Sequence, residues 1–188
     1  MTLRITSICF AALTALGACG DNSQLYSVPP VPAAESERVQ ISYGTVEVRQ
    51  VSLPDYASQP EIYVRGADGS LTASDDLLWA DEPTRAMTLE LSRYLAQSTG
   101  AQVAAEPWPF ADRAQATVEV RVEEMLTEPD GMFRITGQYH VASDFTGGGK
   151  SGLFDVAAPL TASSAGGIAA ARGRAVYELA LLIARQGM

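Results

Sequence analysis

The sequence predicts a single α+β domain, a mainly antiparallel β-sheet with two helices packed on one face. Three observations carry that reading. Residues 116–141 alternate apolar and polar side chains across a turn at Glu128-Pro129-Asp130-Gly131, as a half-buried hairpin does. Two later-ending stretches, Pro83 to Thr99 and about Ser164 to Gln186, repeat apolar residues at helical spacing. The 188 residues, less an N-terminal signal, are the length of one domain with a sizeable core.

The chain opens with Arg4 and then Ile5 to Leu16, apolar except for Thr6, Ser7 and Thr14. A charged start, an apolar run too short for a stable span and small residues behind it make a secretory signal. Leu16-Gly17-Ala18-Cys19 closes it. That triplet before Cys resembles the lipobox of bacterial lipoproteins. It implies cleavage after residue 18, a diacylglycerol on the Cys19 thiol and acylation of the new amine. Each buried CH₂ contributes about 0.8 kcal/mol, so two or three chains hold a protein on a membrane where one holds it marginally. Gly20, not Asp, follows the Cys. Since Asp there often retains lipoproteins at the inner membrane, the expected location is the periplasmic face of the outer membrane.

Cys9 leaves with the signal, so the mature chain has no pair of thiols for a disulfide in an oxidising compartment. Loss of Arg4 takes the net charge from −9 to −10, which argues against nucleic acid and against a basic patch on anionic headgroups. No second apolar run is long enough to span a bilayer.

Residues 19–37 read as a lipidated tether with Pro29, Pro30 and Pro32. At about 3.1 Å per residue it is expected to hold the domain up to roughly 50 Å from the membrane. Leu25 to Pro29 is the exception, an extended piece suited to a sheet edge or to packing on a neighbour.

The domain, residues 38–188, begins with β-branched residues from Val39 to Val51, read as one long strand bent at Gly44 and stopped by Pro54. Glu61 to Arg65 and the segment after Asp68-Gly69 form a hairpin. Asp81 is expected to cap the first helix just ahead of Pro83, with Met87, Leu91, Tyr94, Leu95 and Ser98 on its buried face and Gly100 ending it. Trp79 reads either as a core or staple aromatic or as a subunit contact. A short strand, Ala101 to Ala105, leads into Glu106-Pro107-Trp108-Pro109-Phe110, a stiff loop whose aromatics are a lid over the sheet edge or a binding tip. After the 116–141 hairpin a glycine-rich turn at 144–149 leads to a third strand, Gly152 to Leu160. The last helix buries Ile168, Ala171, Ala175, Val176, Leu179, Leu182 and Ile183. Gly166, Gly167 and Gly173 weaken it, and small residues at 169–171 admit a close backbone.

Catalytic and cofactor motifs are absent from this pattern. The one His140 sits in a strand, and with no free mature thiol neither a Cys–His pair nor a zinc set is available. Gly147-Gly148-Gly149-Lys150-Ser151 lacks the upstream glycine of a phosphate loop and precedes a strand. No enzyme, metal or cofactor is expected.

Four segments in order then carry a resemblance: Leu25-Tyr26-Ser27-Val28-Pro29, Val51-Ser52-Leu53-Pro54-Asp55-Tyr56, Gln59-Pro60-Glu61-Ile62-Tyr63-Val64-Arg65 and Leu78-Trp79-Ala80-Asp81-Glu82-Pro83. With the acylated Cys ahead of them they resemble the ABC-type transport auxiliary lipoproteins, the PqiC family. The family usually has Tyr-Leu where this chain has Tyr56-Ala57, and Arg-Trp-Ala-Glu-Pro at the last segment. The resemblance implies an accessory role in intermembrane lipid transport, with an MCE-domain protein, a permease and an ATPase as partners and a ring of copies as a possible assembly. Tyr56, Arg65, Trp79 and Trp108 are the candidate partner contacts. A lipoprotein acting on cell-wall synthesis and a periplasmic lipid carrier are the alternatives.

Overall fold

A computed structural model describes residues 23–32, 37–143 and 147–188, with the side chains of 74–76 left aside. Cys19, the signal and the tip of the glycine-rich turn at 144–146 lie outside the described residues. Eight strands form one sheet: β1 (Gln24–Tyr26), β2 (Thr45–Val48), β3 (Glu61–Arg65), β4 (Leu71–Trp79), β5 (Gln102–Ala105), β6 (Ala116–Thr127), β7 (Met132–Ser143) and β8 (Gly148–Pro159). The helices are α1 (Pro83–Thr99) and α2 (Ala165–Gly187). This is the expected α+β domain, with a sheet that is mixed.

β6 is the spine. One edge pairs antiparallel with β7 along its length, and β7 continues antiparallel into β8. The other edge is shared. Its first residues pair parallel with β2, which carries β5 parallel outside it. Its last residue, Thr127, meets Val64 of β3, which pairs antiparallel with β4. The parallel pairs arise because helix α1 and the longer loops return the chain to the same end of the sheet, which a tight hairpin cannot do.

Alternation sets the core. Val118, Val120, Phe133, Ile135, Tyr139, Val141, Phe154 and Val156 all face inward and are at most 8% exposed. A bulge between Val122 and Glu124 shifts the register, so Met125 joins the main core and Leu126 next to it is buried as well. Both helices cover this face. Met87, Leu91, Tyr94 and Leu95 of α1 and Ala175, Val176, Leu179 and Ile183 of α2 are fully buried, each large apolar one stabilising by about 1.5–3 kcal/mol.

Several expectations change. The strand read from Val39 to Val51 is only Thr45–Val48. Upstream, the Val39 amide donates to the Ser98 carbonyl at the end of α1 (2.8 Å) instead of joining a ladder. The cap of α1 is Glu82, not Asp81: its carboxylate accepts from the amides of Thr84 (3.0 Å) and Arg85 (2.6 Å). Asp81 accepts from the Glu82 amide and pairs with Arg85. Gly100 closes the helix in the left-handed conformation with φ 74°, as expected.

The proline segment is not a free spacer over its described part. β1 adds to β4 in parallel, Gln24 to Tyr26 against Leu77 to Trp79. The Val31 amide donates to the Tyr94 hydroxyl (3.1 Å) and Val31 is buried. The Glu37 amide donates to the Tyr177 hydroxyl (2.8 Å), whose ring packs edge-on against Tyr94. Gly173 makes room for this: a Cβ there would stand 2.9 Å from the Pro29 carbonyl oxygen and from Val28 Cγ1. The close backbone contact expected at 169–171 therefore falls at Gly173.

Leu179→Asp is expected to abolish the fold, seen as loss of any cooperative thermal transition; an unchanged midpoint contradicts the packing. Gly173→Val is expected to undock the N-terminal segment, with a strain of about 1–3 kcal/mol, while α2 and the sheet persist. Limited chymotrypsin digestion checks it: faster cleavage at Tyr26 with an intact remainder is the expected result.

Candidate functional site

The N-terminal segment, the end of β4 and the two helices enclose a cavity of about 190 Å³, lined among others by Tyr26, Val28, Trp79, Glu90, Arg93 and Arg172. The local sequence explains each wall. β4 ends at Trp79, where Asp81, Glu82 and Pro83 turn the chain into α1. Ala86, Glu90 and Arg93 then follow at intervals of four and three, one stripe of α1 above the opening. α2 crosses beneath, and its Arg172 stands four residues from both Ile168 and Val176, on the buried stripe of the helix.

Arg172 is 1% exposed, the largest fully buried side chain of the described residues. Its guanidinium carbon lies 4.7 Å from the centre of the Trp79 ring, a cation–π contact worth about 2 kcal/mol when desolvated. One terminal nitrogen is 3.6 Å from Glu90 Oε1 and 3.5 Å from the Pro83 carbonyl. That is looser than a charge-assisted hydrogen bond, which closes to about 2.7–2.9 Å. Arg172 Nε and Glu90 Oε2 make no hydrogen bond.

Burial is the largest influence on both charges. It pushes the Glu90 carboxyl above its ordinary range, and the nearby Arg172 and Arg93 charges offset only part of that. It also pulls Arg172 downward, against the carboxylates of Glu90, Asp81 and Glu82. A guanidinium stays protonated at any relevant pH, so the group that gives way is Glu90.

Of the sequence-predicted residues, Trp79 belongs to this cavity. At 6% exposed it fills the core, the first of its two readings. Tyr56 and Arg65 come together elsewhere, at the β6 bulge. The Tyr56 hydroxyl accepts from the Met125 amide (3.0 Å) and its ring packs edge-on to Tyr63. Arg65 pairs with Glu124 (2.7 Å) and Glu128 (3.2 Å). Trp108 stands apart in its loop, donating from its indole to the Asp112 carbonyl (2.6 Å) and packing edge-on against the exposed Phe110. His140 is half-buried on β7, in register with Glu119 and Ser151. Among the described residues no cluster of His, Cys, Asp and Glu is placed to hold a metal ion, and no helix is long and apolar enough to cross a membrane. Arg172 and Glu90 escaped the sequence reading. The available signal was their spacing: each is a charge on a stripe otherwise built of core residues.

The Glu90 shift has a definite sign. A carboxyl whose folded pKa is raised binds its proton more tightly in the native state than in the unfolded one. Stability then falls as pH rises from about 4.3, the unfolded value, through the raised folded value. Glu90→Gln removes that slope. The melting temperature of the variant relative to the natural protein is expected to climb with pH across this window, measured by calorimetry from pH 4 to 8; a constant difference contradicts the buried-carboxyl reading.

Solved structures share this fold. The crystal structure of an uncharacterized protein superposes with a TM-score of 0.68 at 17% identity, covering 86% of this chain and 97% of that one. Protein XCC0632 from Xanthomonas campestris superposes with a TM-score of 0.62 at 18% identity, covering 85% and 92%. At such identities the likeness speaks to architecture alone. No curated protein matches the chain. Residues 26–184, nearly all of the folded part, match the family described as the ABC-type transport auxiliary lipoprotein component, and the chain belongs to that family.

Proposed function

We propose that the protein is a lipid-anchored, non-catalytic subunit of an MCE/ABC-type intermembrane lipid transport system, held by Cys19 at the periplasmic face of the outer membrane. The observation that carries this is the family membership of residues 26–184 together with the lipobox ending at Cys19, seven residues ahead of Tyr26. The described chain is docked on the domain from Ser23 onward. Three residues, Gly20 to Asn22, therefore lie between the acylated Cys and the fold, and the four Cα–Cα steps from Cys19 to Ser23, at about 3.5 Å each, reach at most ~14 Å. The domain sits on the bilayer surface, not at the end of a long spacer.

An MCE-domain protein is the partner this reading assigns, with the permease and ATPase behind it. Tyr56 and Arg65 at the β6 bulge and Trp108 with Phe110 at the loop tip are the surface groups offered to it, and copies of the chain in a ring would repeat them around an axis. Trp79, 6% exposed, offers a partner little surface of its own.

Two measurements test the proposal. Cys19→Ser is expected to leave an untrimmed precursor and to deprive the trimmed form of membrane attachment on sucrose-gradient fractionation. Cross-linking of intact envelopes followed by purification of the lipidated protein is expected to capture an MCE-domain protein. Capture of a cell-wall synthase in its place overturns the assignment.

A further inference from the structure

The sheet ends on β8, and that edge is long. β8 pairs with β7 alone along its twelve residues, whereas the other two edge strands, β1 and β5, have three and four. Across the β7–β8 pair the Leu160 amide donates to the Gly131 carbonyl (2.9 Å), so the even-numbered residues of β8 turn their amides and carbonyls to β7. Alternation then points those of Gly149, Ser151, Leu153, Asp155 and Ala157 outward. Pro159, next in that row, has no N–H to offer, which suits an edge. The side chains of the same row lie on the face away from the helices, and Leu153 at its centre is 78% exposed. An unpaired strand of this length is a template for another strand.

The helix above selects the occupant. α2 lies over both outer strands: Gly187 sits against Val141 and Tyr139 of β7, and Ala171 with Val156 and Ala158 of β8 lines a groove of about 670 Å³ beside the edge. Ala170, Arg174 and Glu178 form the helix flank of that groove. A lone strand added to β8 covers the outward amides and leaves the flank bare; a second copy of the chain brings a strand and a helix together. A two-fold axis normal to the sheet sets the two β8 strands antiparallel and keeps all helices on one face. With strands about 4.8 Å apart, two helices each seated between β7 and β8 then stand about 10 Å apart, where helices pack, and the alanines at 170 and 171 allow the approach.

The outward row is also self-complementary. Centred on Leu153, the antiparallel register sets Leu153 beside Leu153 of the second copy, Ser151 beside its Asp155 and Gly149 beside its Ala157. Asp155 bonds Arg134 through Oδ1 (2.6 Å), and Oδ2 is the oxygen turned to the serine hydroxyl. A register centred on Asp155 would oppose two carboxylates, which is destabilising, and one centred on Phe154 would set each Leu153 against a carboxylate. We propose that β8 is the contact between two copies of this chain, paired antiparallel about a two-fold axis at Leu153 so that one sheet runs through both. Such a contact closes on itself, and a ring of copies needs a second surface. The inference stands on the sheet alone and draws nothing from the transport role.

The test uses full-length lipidated protein in dodecyl maltoside, its mass read by sedimentation equilibrium. A dimer is expected. Leu153→Lys, at an exposed edge position, and Ala157→Pro, which removes an outward amide, are each expected to raise the dissociation constant at least about tenfold with the far-ultraviolet spectrum unchanged. Introduced thiols report the register, with natural protein as the blank for any reaction at Cys19. Ser151→Cys mixed with Asp155→Cys is expected to give a covalent dimer with a short bis-maleimide, since the two face across the axis at about 5 Å. Either variant alone, its two thiols about 13 Å apart, is expected to give at least about fivefold less. A monomer at every concentration overturns the proposal, as does an assembly indifferent to both edge substitutions. Equal product from Ser151→Cys alone overturns the register. Thiols on β8 that cross-link in intact envelopes only to a different protein overturn the second copy as the occupant. None of these outcomes depends on whether an MCE-domain protein is captured.

Discussion

A guanidinium with 1% of its surface exposed must find in the protein what it gives up in water, and Arg172 does so from three directions. Trp79 at the end of β4 supplies its ring face, Glu90 on α1 its charge, and the Pro83 carbonyl at the start of α1 an acceptor. These contacts join the strand end, the helix that follows it and the C-terminal helix. Arg172 and its partners also line the cavity beside the N-terminal segment. Replacing such a pair by apolar residues is often neutral or stabilising, while removing one partner costs about 3–5 kcal/mol. The cluster is thus poor evidence of selection for stability alone, and its incomplete hydrogen bonding points the same way.

The sheet supplies the frame that makes this placement rigid. β6 is paired along one edge to a single long partner and along the other to two short strands. The bulge after Val122 lies where those two partners change over, with Ser52 bridging Arg121 between them. A bulge at that point increases the local twist, and Tyr56 fixes it by accepting the Met125 amide. The two halves of the sheet are in this way held at one spine, and the helices lie across the inner face.

Much of this was legible in the residues. The 116–141 hairpin was, because strict alternation with a Pro-Asp-Gly turn admits one register. Both helices were, because apolar stripes and an end signal at Gly100 or a cap at Ser164 bracket them. The strand expected from Val39 was not, since β-branched residues fit an extended chain whether or not a neighbour is there to pair with it; Ser98 at the end of α1 takes the amide instead. Glu82 outcompetes Asp81 as the cap because its side chain reaches forward to the Thr84 and Arg85 amides while Asp81 is engaged with the Arg85 side chain. Met125 is buried beside an equally buried Leu126 because of a bulge that has no residue signature of its own here. The cavity was illegible for a different reason. Arg172 and Glu90 lie 82 positions apart by their numbers, and only the crossing of the helices puts one charge over the other.

The docked N-terminal segment changes what an anchor does in such a molecule. A proline-rich spacer would let the domain explore a hemisphere above the membrane, and its orientation would carry no information. Here the segment is a strand of the sheet and a packing partner of α2, with Tyr94 and Tyr177 each taking one of its amides. Ordering those residues costs about 1–2 kcal/mol apiece in backbone entropy, a cost that a simple leash avoids and that the burial of Val31 and the β1 pairing must offset. What the cost secures is direction. With residues 24–31 paired to β4 and packed on the helices, the β1 edge, the adjoining cavity, the β6 bulge with Tyr56 and Arg65, and the Trp108 loop hold set directions relative to that segment, and under the proposed anchoring at Cys19 those directions become orientations relative to the membrane.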